Sequence, residues 1–277
     1  MQSLKDLKYW SNDLSESRLM PVLFLGHGSP MNAIEENEFV IGFRNVATTL
    51  PTPKAILCVS AHWFTKGSLL TAMEMPQTIH DFTGFPKTLY EVEYPAKGDP
   101  GLAAYTQQLL SSSEVTLDEK WGLDHGAWSV IKHLYPNANI PVIQLSIDYT
   151  KPPIYHFELA KQLQILRNKG VLIIGSGNIV HNLGLVDWAN FEKDNHGFDW
   201  AIEARLTINN LLTSENFKPL IEYQNQGAAF KLAIPTPDHY LPLLYTLGLQ
   251  KKGEALHLFN DKLMAGSLSM TSVKIGN

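Results

Sequence analysis

The feature that most constrains the fold of this chain is an apolar run that stops at a glycine turn and is followed by a histidine, in residues 171–183 (VLIIGSGNIVHNL). A short apolar run rich in β-branched residues and bounded by turn residues is typical of a strand buried on both faces of a sheet. Residues 171–174 are therefore predicted to form a buried strand, and the turn after it carries His181. Two similar runs, LMPVLFL and AILCVSA, are followed by His27 and His62.

The rest of the chain alternates between strand-like and helix-like segments. Further strands are predicted at residues 20–25, 55–60, 69–73, 141–146, 254–260 and 267–273, with a short edge strand at 115–117. Helices are predicted at residues 36–50, 99–110, 127–134, 156–167, 198–212 and 215–224. One more helix is predicted to open within residues 234–240, with Thr236 as the N-cap, Pro237 in the first helical position and His239 in the first turn.

Nothing in the composition divides the chain. No Gly/Ser-rich, Pro-rich or block-charged linker interrupts the 277 residues, and no fixed-period repeat is apparent. We therefore predict a single α/β domain over residues 1–277, with residues 1–19 as a loose arm or short helix that Tyr9 and Trp10 anchor. The segment 76–98 is rich in aromatic residues and prolines without a clear period, which is typical of a binding loop or lid.

Charge, cysteine content and hydropathy limit the partners and the compartment. The formal net charge of -5 argues against a strongly basic nucleic-acid-binding surface. The only cysteine, Cys58, lies within an apolar run and is predicted to be a buried small hydrophobe, so no intramolecular disulfide forms. The N-terminus lacks the continuous apolar stretch of a signal peptide, and no run approaches transmembrane length. We expect a cytoplasmic protein with no nucleic-acid partner and no membrane segment.

Four histidines stand where a ligand site would form. His27, His62 and His181 follow predicted strands, and His239 lies at a predicted helix start. Because ligands gather at the carboxyl ends of strands in open α/β sheets, these side chains are predicted to meet in one site. Neutral imidazole is a common ligand of zinc and iron, so a metal is the simplest reason for this convergence. Other histidines are predicted to be packing, surface or solvated loop residues, namely His80, His133, His156, His196 and His257.

His125 lies just before a predicted helix start, in the sequence GLDHGAW. The helix dipole at that position disfavours a protonated imidazole and keeps the ring available as a neutral group. The neighbouring Asp124 has two interpretations, since it either orients the His125 ring or is an exposed loop carboxylate.

Histidines alone do not choose the chemistry of a metal site. A hydrolase would use the metal to acidify water, whereas an oxygenase would use Fe(II) to hold substrate and O₂ on open positions. The sequence has no HExxH and no GxSxG motif, which weakens two common hydrolase classes. A metal-dependent hydrolase on a similar sheet remains an alternative, as does a catalytically silent metal-binding interaction protein.

Five motifs in order along the chain resemble a known family. GHGSPM, SAHWF, GLDHGAW, GSGNIVHNL and TPDHYLPL, which together span residues 26–243, look like the class III extradiol ring-cleavage dioxygenases in their DOPA 4,5-dioxygenase branch. The resemblance implies a three-layer α/β/α sandwich around a mostly parallel mixed sheet. It also implies one divalent metal per chain, Fe(II) for dioxygenase activity with Zn(II) as an alternative occupant. The implied reaction opens a catechol ring with O₂ next to its hydroxyl pair and gives a muconic semialdehyde.

The resemblance also implies a role for each histidine. His27 and His62 match the first two metal ligands, and His239 stands where the third is expected. Better-known members of the wider family use a glutamate there, so His239 is a departure that leaves the site one unit more positive, which favours a catecholate dianion and could also favour zinc. His181 matches the acid/base histidine and, being near the metal, is also a candidate fourth ligand in a resting, zinc-filled site. His125 resembles a histidine that hydrogen-bonds substrate or oxygen.

Overall fold

The computed structural model describes residues 9–10 and 19–277. The predicted N-terminal arm, residues 1–19, therefore lies almost entirely outside the described residues. Within it, Trp10 is buried and its indole Nε1 donates a hydrogen bond to Oδ2 of Asp99 at 3.0 Å, which agrees with its predicted role as an anchor. Tyr9, the other predicted anchor, is instead 52% exposed.

Twelve strands are present in the described part of the chain, and most are short. In chain order they are β1 (Val22–Gly26), β2 (Ala55–Ser60), β3 (Phe64–Thr65), β4 (Leu69–Thr71), β5 (Thr116–Asp118), β6 (Val142–Gln144), β7 (Ile147–Asp148), β8 (Val171–Gly177), β9 (Leu256–Phe259), β10 (Leu263–Met264), β11 (Leu268–Ser269) and β12 (Ser272–Ile275).

Ten α-helices alternate with these strands within the same described residues. In chain order they are α1 (Glu38–Ala47), α2 (Lys87–Tyr90), α3 (Pro100–Leu109), α4 (His125–Leu134), α5 (Pro153–Gln162), α6 (Gln164–Asn168), α7 (Asp199–Thr213), α8 (Lys218–Ile221), α9 (Ala228–Ala233) and α10 (Leu241–Gly248). Single 3₁₀ turns occupy Pro30–Ala33, Ser111–Ser113, Leu183–Leu185, Trp188–Asn190 and Tyr223–Asn225. None of these helices has the length and apolar character that a bilayer-spanning segment requires.

The central sheet has six strands in the order β6-β2-β8-β1-β12-β9. The first four pair in parallel, whereas β12 and β9 are added antiparallel at one edge. In the parallel part, β8 lies between β1 and β2 and pairs with both along its length. The carboxyl ends of these three strands therefore meet at one edge of the sheet, where α/β proteins place their ligands.

Helices cover both faces of this sheet, because the side chains of a strand alternate between its two faces. Val171 and Ile173 of β8 pack in a core shared with α3, α5, α7 and α10. Leu172 and Ile174 pack in a second core shared with α1 and α4. Both faces of β8 are apolar because both are covered, as the uninterrupted apolar run indicated. The predicted three-layer α/β/α architecture with a mostly parallel mixed sheet is confirmed.

The element boundaries differ from prediction where local hydrogen bonds override the pattern. Helix α4 begins at His125 and not at Ala127, because the side chain of Asp124 caps it. The last predicted helix begins at Leu241, so His239 lies in the turn before α10 and not in a first helical turn. The carbonyl of His239 instead accepts a hydrogen bond from the backbone N–H of Asn178 at 2.9 Å. Other segments also differ: 141–146 is cut to β6, 215–224 to α8 and a 3₁₀ turn, 267–273 is divided into β11 and β12, and 156–167 is divided between α5 and α6. The strand predicted at 171–174 continues to Gly177 as β8.

Two glycines of β8 allow α10 and the turn before it to approach the strand closely. A Cβ atom on Gly175 would lie 2.4 Å from the carbonyl oxygen of Pro242, and one on Gly177 would lie 2.1 Å from that of His239. Such contacts are far inside van der Waals distance, so only glycine permits this packing. Because Gly177 has no side chain, the turn that carries His239 packs directly against the end of β8.

We predict that Gly175→Ala lowers the free energy of unfolding by about 1–3 kcal/mol, because the added methyl group overpacks the contact between β8 and α10. Urea denaturation followed by circular dichroism measures this change. Gly184→Ala is the control, since its Cβ would have no neighbour closer than Asn182 Oδ1 at 3.4 Å. Equal stability of the two variants would contradict the packing argument.

Candidate active site

Five histidines converge on one cavity at the carboxyl edge of the parallel strands. His27 follows β1, His62 follows β2, and His181 lies beyond β8. His125 is the first residue of α4, and His239 lies in the turn before α10. All five line a cavity of about 290 Å³. The predicted convergence of these side chains therefore occurs in the folded chain, and it includes His125.

Three of the rings form a nearly equilateral triangle. Ring centroids of His27 and His62 lie 5.0 Å apart, and each lies 5.1 Å from the centroid of His239. The Nε2 atoms of His27 and His62 face each other at 3.3 Å. Ligand nitrogens of His27, His62 and His125 also lie within 4.8 Å of one another, as do those of His181 and His239 with an oxygen of Asp238.

The three rings of the triangle are held from behind by oxygen atoms. Nδ1 of His27 lies 2.9 Å from Oγ of Ser176, Nδ1 of His62 lies 3.3 Å from Oδ2 of Asp81, and Nδ1 of His239 contacts Oδ2 of Asp238. Carboxylates only accept hydrogen bonds, so Nδ1 of His239 carries the proton, whereas Nδ1 of His62 faces the Asp81 carboxylate without an aligned hydrogen bond. The Ser176 hydroxyl donates its single proton to the carbonyl of Gly126, so it accepts from His27 Nδ1.

Because Nδ1 of each ring faces an oxygen atom, Nε2 is the nitrogen that each of the three rings presents to its neighbours. Burial, followed by the neighbouring imidazoles, holds the pKa values of His27 and His62 well below the ordinary histidine value, so both rings are neutral. At 3.3 Å, their two Nε2 atoms are close enough to share either one proton or one cation. Two nitrogens bound to one metal at about 2.1 Å lie roughly 3.0–3.4 Å apart for bond angles near 90–110°. The donor set therefore fits a divalent metal.

His181 approaches the triangle in a different way. Its ring stacks on that of His239, with centroids 3.5 Å apart and ring planes 8° from parallel. A metal bound by histidine lies close to the plane of the ring, and one ion cannot lie in two parallel planes that far apart. Burial, and then the adjacent His239, lowers the pKa of His181 to about 3. In this arrangement His181 is a neutral imidazole beside the candidate metal position and outside the His239 plane.

Neither of the two interpretations of Asp124 agrees with the structure. Asp124 is 0% exposed, and its carboxylate accepts hydrogen bonds from Ser60 Oγ at 2.6 Å, Gln144 Nε2 at 2.7 Å and the backbone N–H of Ala127 at 3.0 Å. It is a buried N-cap of α4 and not an exposed loop carboxylate. The carboxylate beside the His125 ring is Asp81, whose Oδ1 lies 3.0 Å from His125 Nδ1.

The other histidines have the structural roles that the sequence predicts, with one exception. Nε2 of His133 contacts the carbonyl of Asn32, Nδ1 of His156 contacts the Tyr245 hydroxyl, His196 pairs with Asp187, and His257 is exposed on β9. His80 is half-buried and not a solvated loop residue, because its Nε2 lies 2.9 Å from the carbonyl of Val92.

The remaining wall of the cavity is apolar. It is formed chiefly by two segments that flank the histidines, and its side chains are Pro30, Phe82, Phe85, Leu183, Val186, Trp188, Phe191 and Leu268. The segment 76–98, predicted as a binding loop, thus contributes Phe82 and Phe85 to the cavity, and its Asp81 carboxylate lies behind His62 and His125. Small-ligand pockets typically combine such apolar walls with a few convergent polar groups.

The sequence and the fold are similar to those of known proteins. A family model described as the catalytic LigB subunit of aromatic ring-opening dioxygenase matches residues 21–267. A protein of Escherichia coli (strain K12) named 4,5-DOPA dioxygenase extradiol is 46% identical over 271 residues, which cover 95% of this chain and 97% of that protein. A Beta vulgaris protein of the same name is 34% identical over 275 residues, covering 94% and 98%. The crystal structure of an uncharacterized protein from Escherichia coli K12 superposes with a TM-score of 0.80 at 43% identity, covering 93% and 100%.

We predict that Asp124→Ala lowers the free energy of unfolding by about 2–4 kcal/mol, because it removes the α4 cap and leaves Ser60 and Gln144 without their buried acceptor. Thermal and urea unfolding measure this loss. Asp199→Ala provides a comparison, since Asp199 is exposed in the first turn of α7 and its loss should cost at most about 1 kcal/mol. A similar loss in both variants would show that Asp124 contributes no more than a surface carboxylate.

Proposed function

Because this chain belongs to the family of catalytic LigB subunits of aromatic ring-opening dioxygenases, and is an extradiol ring-cleaving dioxygenase, we propose that it cleaves catechols such as DOPA at the 4,5 position. Both atoms of O₂ enter the product, and the ring opens beside the hydroxyl pair to give a muconic semialdehyde. The proposal is carried by one observation. The Nε2 atoms of His27 and His62 face each other at 3.3 Å, within a cluster of five histidines that lines an apolar cavity of about 290 Å³.

We propose that His27, His62 and His239 hold one divalent metal ion, Fe(II) in the active enzyme, with Zn(II) able to occupy the same nitrogens. Enzymes of this family depend on a metal, and each of the three rings offers an Nε2 atom while its Nδ1 atom faces an oxygen atom. When bound, such an ion supplies electron transfer between catechol and O₂ and accepts both catechol oxygens.

The two remaining histidines then handle protons. His181 is proposed as the general base that takes a proton from a catechol hydroxyl, since its neutral ring lines the cavity beside His239. Its parallel stacking on His239 supports a role as a base and not as a permanent ligand. His125 is proposed to hydrogen-bond the substrate or oxygen, and either ring can return the proton as the ring opens.

The substrate is proposed from the relatives and from the cavity together. Four of the similar proteins are named 4,5-DOPA dioxygenases, and all cover most of this chain. The apolar wall suits the faces of one aromatic ring, because Phe82, Phe85 and Phe191 offer flat surfaces beside the histidines. The partners are therefore a small catechol and O₂. A cytoplasmic location remains a prediction.

We predict that protein loaded anaerobically with Fe(II) consumes O₂ when DOPA is added and forms a product heavier by two oxygen atoms. An oxygen electrode and mass spectrometry provide the measurements, and a hydrolase or a silent metal-binding protein would consume no O₂.

We predict that His62→Ala abolishes both stoichiometric metal binding and turnover, because it removes one of the three proposed ligands. His257→Ala, which removes an exposed histidine of β9, serves as the control. Full metal content in His62→Ala would remove His62 from the metal site.

We predict that His181→Ala retains most of its metal affinity, because three ligands remain, and lowers the single-turnover rate about 10²–10⁴-fold, as expected for loss of a general base. Metal content and single-turnover ring cleavage are measured on the same preparation. Near-normal cleavage by a fully metallated variant would exclude the acid/base role, whereas loss of the metal would make His181 a ligand.

A further inference from the structure

We propose that Asp81 is a positioning residue that sets the orientation and tautomer of His62 and His125 together. The inference rests on the proposed function, in which His62 is a metal ligand and His125 contacts the substrate. Asp81 lies in the middle of the segment 76–98, a loop without periodicity that the motifs do not cover. Nothing in the sequence distinguishes it from other loop carboxylates.

One carboxylate of Asp81 contacts both rings. Its Oδ2 lies 3.3 Å from Nδ1 of His62, and its Oδ1 lies 3.0 Å from Nδ1 of His125. The two rings are themselves close, with centroids 3.8 Å apart. Because a carboxylate only accepts hydrogen bonds, it selects the tautomer with a proton on Nδ1 in each ring. Both Nε2 lone pairs are then directed away from Asp81, toward the cavity.

The contact with His125 is short but incompletely aligned. Nδ1 of His125 is buried and makes no hydrogen bond of good geometry, although the Asp81 oxygen lies only 3.0 Å away. Catalytic hydrogen bonds in ligand-free sites are often poorly aligned and tighten when substrate binds. A rotation of the His125 ring toward Asp81 satisfies this orphaned nitrogen and fixes the direction of its Nε2 atom.

Asp81 is itself held rigidly enough to serve as a reference point. The backbone N–H of His125 donates to its Oδ1 at 2.8 Å, which ties the loop to the first residue of α4. On one side of Asp81, Nε2 of His80 contacts the carbonyl of Val92, and on the other the ring of Phe82 packs edge-on against His125 with centroids 5.4 Å apart. The carboxylate is therefore anchored to the same helix terminus that carries His125.

Asp81 also supplies charge that the ligand set lacks. The three proposed ligands are all imidazoles, which bring no negative charge, and a carboxylate stands behind two of them, Asp81 behind His62 and Asp238 behind His239. A carboxylate that accepts the distal N–H of a metal-bound histidine makes the ring more basic and fixes its tautomer, and its loss typically costs about 10–100-fold in metal affinity.

The test replaces Asp81 with asparagine, which keeps the shape but has one acceptor and one donor. With Oδ1 facing His125, the new NH₂ group meets the Nδ1–H of His62, and two donors oppose each other. Asp81→Asn should therefore bind Zn(II) stoichiometrically with about 10–100-fold lower affinity, measured by competition with a chromophoric chelator. Asp81→Glu keeps a carboxylate acceptor and should therefore bind Zn(II) more tightly than Asp81→Asn. If Asp81→Asn does not fold, the Zn(II) affinity of Asp81→Glu is compared with that of the wild type instead. Asp187→Asn is the matched control, because it alters a carboxylate–histidine contact of 2.8 Å at His196, which does not line the cavity.

The second arm of the test concerns His125. At saturating metal, where the effect on metal affinity through His62 is removed, Asp81→Asn should lower kcat more than it raises KM. It should then cause little further loss of kcat in a His125→Phe background, because Asp81 and His125 act as a unit. Zn(II) affinity of Asp81→Asn equal to wild type, or losses that simply multiply in the double variant, would overturn the proposal. If the wild-type protein binds no metal, or if His62→Ala binds it normally, the proposed function fails instead, so the two failures are distinguishable.

Discussion

Three imidazole lone pairs can face one another inside a protein only if each ring is fixed from behind. The Nε2 atoms of His27 and His62 lie 3.3 Å apart, close enough to share one proton or one cation. The fold fixes these two rings and that of His239 with one hydroxyl and two carboxylates beside the Nδ1 atoms. Burial lowers the pKa values of His27 and His62 and so keeps these two rings neutral, which a metal requires of its nitrogen ligands. The histidine cluster could therefore bind a metal without turning its rings.

The sequence predicted the sheet and the histidine cluster because both depend on short-range patterns. Buried parallel strands are apolar on both faces, so β2 at Ala55–Ser60 has the bounds that its apolar run predicts. Parallel strands also share one carboxyl edge, so three histidines after three such strands were expected to meet. The start of α10 was predicted too early in the sequence, because Pro237 is also compatible with a turn. The His239 carbonyl accepts a long-range hydrogen bond from Asn178, which the sequence pattern does not predict.

The parts of the site that the sequence did not predict depend on long-range contacts. Asp81 lies far in sequence from His125 and His62, on a loop with no period, and its importance comes only from where the loop packs. Ser176 was visible as a turn residue, but its role depends on the carbonyl of Gly126, which receives its proton. Asp124 differs from both, since an aspartate just before a helical run is an N-cap signal that the sequence does contain. The N-cap signal does not, however, predict that Asp124 is buried against Ser60 and Gln144.

Three consecutive residues at the end of β8, residues 176–178, contact all three segments that carry the proposed metal ligands. Ser176 holds the His27 ring and its carbonyl accepts from Ala61, next to His62, while Asn178 donates to the His239 carbonyl. The walls of the cavity come from other parts of the chain, chiefly the loop with Phe82 and the stretch around Trp188, a residue that is 73% exposed. Substitutions in evolution can therefore reshape the walls, and with them the range of aromatic compounds accepted, while three adjacent residues preserve the arrangement of the histidines.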